Sequence, residues 1–74
     1  MIQISGNKNI DYLYSKGHCP AWLISKMKSC GINTIRDLKY ALNTKGKSTI
    51  LFMLQISSST YYKLKGIIGL YQIV

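Results

Sequence analysis

One joint constrains this chain more than any other stretch: Gly31-Ile32-Asn33-Thr34-Ile35-Arg36-Asp37-Leu38. A glycine after a periodic run is the usual helix stop, because glycine alone takes positive φ without a Cβ penalty. Thr34 and Asp37 then form a variant of the capping box, with Asp where Glu or Gln is usual, and place an acid in the first turn of a new helix. The joint reads helix, tight turn, helix, and the rest of the chain is placed around it.

Upstream, Ala21 to Cys30 reads as a helix with Leu23, Ile24, Met27 and Cys30 on one stripe and Ser25, Lys26, Lys28 and Ser29 on the other side. Trp22 lies at the edge of the stripe, placed to pack or to stack. The connector Gly17-His18-Cys19-Pro20 separates this helix from an earlier one, because Pro20 pushes the residue before it out of helical geometry and suits a helix's first turn. The earlier helix has Ile10, Leu13 and Tyr14 on one face, Asn9 as cap and Gly17 as stop. Residues 1–9 alternate weakly and turn polar at Ser5-Gly6-Asn7-Lys8-Asn9, an extended arm ahead of a helical domain over 10–74.

Downstream, Ile35, Leu38, Ala41 and Leu42 mark a third helix with Asn43 as its stop. A basic turn, Asn43-Thr44-Lys45-Gly46-Lys47-Ser48, leads to Ile50–Gln55, with Thr44 or Ser48 as cap. The run Ile50 to Leu54 has no polar face, which fits a central helix or a buried strand; its helical company favours helix. Ser57 is the best-placed N-cap for a last helix reaching the C-terminus. That helix has Tyr61, Leu64, Ile68 and Tyr71 on one stripe, widened by Ile67, Leu70 and Val74. Gly66 and Gly69 inside it each cost about 1 kcal/mol relative to alanine, so they mark a close helix approach or a break, the approach being commoner.

A chain of 74 residues is one domain that buries only about 60% of its unfolded surface. The expectation is an all-α single domain of four to five short helices. Ten Lys and Arg against two acids give a formal charge of +8, which repels itself unless something negative lies beside it. Nucleic acid and an acidic membrane surface both qualify, while 47% hydrophobic residues and six tyrosines argue for a folded body over a disordered basic tail. Cys19 and Cys30 stand at opposite ends of one helix, separated by ~15 Å and so beyond disulfide reach. With His18 they are the only soft ligands, and Cys30 is badly placed for a shared metal. No cofactor or metal is expected. The N-terminus lacks the apolar centre of a signal segment, and the run Ile50–Leu54 is far short of the ~20 residues that span a bilayer, so the reading is soluble, intracellular and without a membrane partner.

From Pro20 to Ile73 the chain sets out one ordered series: a short helix, Gly31-Ile32, Thr34-Ile35, Asp37-Leu38, Thr44, Gly46-Lys47, then Ile56-Ser57 ahead of a terminal helix carrying Lys63, Leu70 and Ile73. In this the chain resembles a bacterial family of small domains of unknown function built of helix-hairpin-helix-like (SAM-like) elements. More distantly it resembles the C-terminal domain of the RNA polymerase alpha subunit. The resemblance implies a helix-hairpin-helix arrangement and DNA binding. The first hairpin departs from that pattern: His18-Cys19-Pro20-Ala21 stands where such domains carry a Gly-apolar-Gly turn whose N–H groups face a phosphate. Proline removes a donor there and histidine resists positive φ. Gly66-Ile67-Ile68-Gly69 has the wrong spacing for a second such turn. The opening Ile4-Ser5-Gly6, Asp11-Tyr12-Leu13-Tyr14 and Ala21 to Ile32 also resemble the N-terminal part of a small-subunit ribosomal protein of the helix-two-turn-helix kind, without that protein's basic tail.

The leading functional expectation is a non-catalytic nucleic-acid-binding module, on DNA or RNA. Lys26, Lys28, Arg36, Lys39, Lys45, Lys47, Lys63 and Lys65 would contact backbone phosphates if they converge on one face; the plain alternative is a solvated basic surface. Tyr12, Tyr14, Tyr40, Tyr61 and Tyr62 are available for stacking or for core packing. The second expectation is an assembly subunit that packs against a protein partner, since nine of the last fourteen residues are apolar or aromatic. Catalysis is not expected, nor a small-molecule substrate. Asp11 and Asp37 read as caps or first-turn acids, His18 has no evident acid partner, and Cys19 reads as a small buried thiol. Lys45-Gly46-Lys47-Ser48 lacks the upstream glycine and strand of a phosphate-binding loop.

Overall fold

The helix-turn-helix joint forms as its residues dictate. In the computed structural model, which describes residues 2–74, α1 spans Asp11–Ser15, α2 Ala21–Ser29, α3 Ile35–Thr44, α4 Lys47–Leu54 and α5 Ser58–Gly69. Gly31 has φ +85° and Gly17 φ +76°, the left-handed values their positions after α2 and α1 require. The Thr34 hydroxyl accepts from the Asp37 N–H at 3.1 Å, and Asp37 Oδ2 accepts from Thr34 N–H at 3.2 Å and Asn33 N–H at 3.1 Å. The first turn of α3 is satisfied in full by two further bonds from the N-terminal segment: Ile35 N–H donates to the Lys8 carbonyl and Arg36 N–H to the Gly6 carbonyl, both at 2.9 Å. Every N–H that a helix start would leave without a partner is used.

The core lies where the stripes of all five helices meet. Leu13 of α1, Met27 of α2, Ile35 and Leu38 of α3, Ile50 and Leu54 of α4 and Leu64 of α5 are fully buried, together with Ile10. Each such side chain contributes ~1.5–3 kcal/mol relative to exposure. Of the sequence stripes, Leu23, Ile24 and Met27, and Ile35, Leu38, Ala41 and Leu42, are buried as expected. Ser57 caps α5 by accepting from Thr60 N–H. The helical body therefore agrees with the all-α expectation.

Both ends of the described chain depart from it. Ile2–Ile4 forms a strand, β1, and Tyr71–Ile73 a second, β2; they pair in parallel with Ile2 opposite Tyr71 and Ile4 opposite Ile73. The last helix thus stops at Gly69 and does not run to Val74. Two glycines in its final turns lower its helical preference by about 1 kcal/mol each, and Tyr71, Ile73 and Val74 are strand-favouring residues. Extended geometry also buries Tyr71, whose hydroxyl lies 2.9 Å from His18 Nε2 and whose ring meets the edges of Tyr12 and His18. The glycines do not mark a close helix approach: a Cβ on Gly66 or Gly69 would meet nothing within 4 Å.

Smaller corrections follow from packing. Run Ile50–Leu54 is helical but not central, since Phe52 is 85% exposed and only Ile50 and Leu54 are buried. Neither Thr44 nor Ser48 caps α4: Gly46 is its N-cap without a side-chain bond, and the Thr44 hydroxyl donates to the Tyr40 carbonyl at 2.7 Å. That bond holds α3 together one residue past Asn43. Tyr14 is exposed, and its neighbour Tyr12 packs on the core in its place.

Candidate functional site

The positive charge is almost unopposed. Of ten Lys and Arg, one is ion-paired to a carboxylate side chain among the described residues, Lys28 with Asp11 at 2.9 Å; nine are left. Asp37 is spent on the capping box, and the two N–H bonds from Asn33 and Thr34, more than any other influence, hold its carboxyl below the ordinary 3.8. The charge is therefore a net field that an anionic partner would feel.

The eight sequence candidates fall into separate groups. On α3 the buried stripe turns Arg36, Lys39, Tyr40 and Asn43 outward. With Thr44 and Ile73 of β2 they line an open groove of about 410 Å³. Lys45 follows at the end of the same helix. Arg36 is also part of the frame: its guanidinium lies over Gly6, where a Cβ would come within 2.9 Å. It donates to Asn7 Oδ1 at 2.7 Å and to the Val74 carbonyl at 3.4 Å. Lys39 and Lys45 carry no such duty among the described residues.

A second group surrounds a tyrosine pair. The rings of Tyr61 and Tyr62 meet edge to face at 5.4 Å. Lys47 sits over the exposed Tyr62 ring at 4.6 Å and donates to its hydroxyl at 3.1 Å, while Lys65 sits over Tyr61 at 5.7 Å. Exposed cation–π pairs of this kind are worth ~0.5–1 kcal/mol. Lys63 faces elsewhere, into a smaller cleft of about 130 Å³ between the start of α2 and the side of α5, lined by His18, Pro20, Trp22, Thr60, Leu64 and Ile67 among others. Lys26 is half-buried and donates to Gln55 Oε1 at 2.9 Å. Lys26 and Lys28, like Arg36, are thus engaged with the protein itself.

Lys8 and Lys16, outside the eight, belong with the candidates as well. Both stand over the Tyr12 ring, at 4.9 and 5.5 Å. Lys16 follows Tyr12 by four residues, a helical spacing visible in the sequence, whereas Lys8 lies ahead of α1 and no helical period connects it to the ring. Burial pushes the Cys19 thiol up to about 11, so this cysteine is a packing residue. Burial, followed by the neighbouring Tyr12, raises Tyr71, consistent with its place inside the fold. Among the described residues no three His, Cys, Asp or Glu side chains gather as a metal site, and no helix is long and apolar enough to cross a membrane. The chain has no significant match among family models, curated proteins or solved structures.

Proposed function

We propose that this protein is a small non-catalytic module that binds nucleic acid through backbone phosphates. The observation that carries the reading is the unopposed charge: among the described residues nine of ten cations pair with no Asp or Glu side chain, and six of the nine stand beside aromatic rings or in the groove on α3. Cations next to π-faces are what a flexible, base-bearing polyanion needs. In the same reading α2, the Gly31 turn and α3 are one hairpin of a helix-hairpin-helix-like arrangement, supported by the left-handed Gly31 and the complete cap on α3. The test is fluorescence anisotropy with labelled duplex DNA, single-stranded DNA and structured RNA between about 50 and 200 mM salt, where phosphate contacts give a steep loss of affinity. Lys39→Gln and Lys45→Gln should each lower the salt slope by about one. Lys28→Gln should leave it unchanged, because Lys28 is already paired. Absence of binding at the lowest salt would refute the reading.

A second reading, a subunit that assembles with a protein partner, rests on Phe52, 85% exposed on α4. A monodisperse oligomer by light scattering that dissociates on Phe52→Ser would favour it over the first.

A further inference from the structure

Resting on the nucleic-acid reading, we propose that the cleft between α2 and α5 holds one unpaired base of a single strand, stacked on Trp22, with Lys63 taking the adjoining phosphate. Size comes first: at about 130 Å³ the cleft lies well below the ~300–1,000 Å³ of pockets for drug-sized ligands, so its occupant is one flat ring or one small group. The walls choose between these. Cys19, Leu23 and Leu64 are buried beneath it, and an apolar floor penalises a bare phosphate while accepting a ring. Trp22, half-exposed, brings an aromatic ring to the wall. The polar lining groups, His18, Thr60 and Lys63, can meet the edge of a base and its phosphate. His18 is held by its contact with the Tyr71 hydroxyl, so that side of the cleft is fixed before anything binds. A base within a duplex cannot enter without unstacking, whereas an unpaired one can.

Trp22 is the only tryptophan in the chain, so its emission reports on this cleft alone. The full chain is titrated at low salt with a labelled single-stranded oligonucleotide, the same sequence as duplex, and a mononucleotide. Tryptophan emission and label anisotropy are followed together. The expected result is quenching by the single strand, at an affinity about tenfold or more above the duplex. Trp22→Ala should weaken the single strand about tenfold, Trp22→Phe should restore most of it, and Lys63→Gln should reduce affinity and salt slope with Trp22 still quenched. Circular dichroism on each variant confirms the fold. Strand binding by anisotropy with unchanged Trp22 emission and no effect of Trp22→Ala would overturn the base pocket while leaving the nucleic-acid reading intact. Quenching by the mononucleotide as strong as by the strand would overturn the strand assignment in favour of a free nucleotide. No binding of any probe would bring down both readings.

Discussion

Helices α3 and α4 are neighbours of similar length, built on opposite terms. α3 carries a complete cap and a clean division of faces, with Ile35, Leu38, Ala41 and Leu42 inside and Arg36, Lys39 and Tyr40 outside. α4 begins on Gly46 with no side-chain cap and ends at Gln55, the one non-glycine residue with positive φ among those described, at 53°. Its apolar side chains point all ways, leaving Phe52 in solvent. In α3 the end signals and the hydrophobic period agree, so local sequence specifies the element. In α4 they are silent, and only the burial of Ile50 and Leu54 by neighbouring helices decides which face turns inward. Local instruction and tertiary instruction can thus be told apart within one small fold.

Mutations can break or sharpen that contrast. Leu38→Ala removes a fully buried side chain from α3 and should cost about 3 kcal/mol, read as a lowered urea midpoint. Thr34→Ala should cost about 1 kcal/mol by removing the cap. Its partner Asp37 gives the contrast a pH dependence. A carboxyl held lower in the folded state than in the unfolded chain stabilises the protein above the ordinary value of 3.8. That stabilisation is lost as pH falls through 3.8 and on through the lower folded-state value. Asp37→Asn should flatten this part of a stability-against-pH curve. Gly46→Ser would give α4 the cap it lacks. Gly46 has φ −66° and open space around a new Cβ, so a gain of about 0.5 kcal/mol is expected in thermal melts. Smallest of all, Phe52→Ala should move stability by less than about 0.5 kcal/mol, although Phe52 is the largest apolar side chain on α4. A loss comparable to that of Leu38→Ala would show that α4 is instructed like α3 after all.

The same contrast explains what could be read from the residues beforehand. The Gly31 stop, the Thr34–Asp37 box, the Ser57 cap and the stripes of α2 and α3 are written in short-range chemistry, and each forms where the spacing puts it. Tyr71 continues the period of Tyr61, Leu64 and Ile68, so the pattern predicts it on a helical stripe. A strand of three residues is too short to show alternation, and its partner lies 69 positions away. For the candidate site, the identities of the cations were legible but their grouping was not. Which lysines share a groove depends on how helices cross, and the clamp from Arg36 to Asn7 and Val74 joins segments that no local pattern connects.

The pairing of β1 with β2 also has a mechanical meaning. In a parallel pair, the start of β1 lies beside the start of β2 and the two finishes lie together. Tension entering ahead of Ile2 and leaving after Ile73 therefore grips the ladder at opposite ends and loads its rungs in shear, all together. An antiparallel pair pulled in the same way would unzip rung by rung. Helices α1 to α5 hang between these strands, so resistance to pulling starts in the clasp, whose rungs run on past the strands through Val74 N–H to Ile4 and Gly6 N–H to Val74, and which Arg36 ties to the helical body.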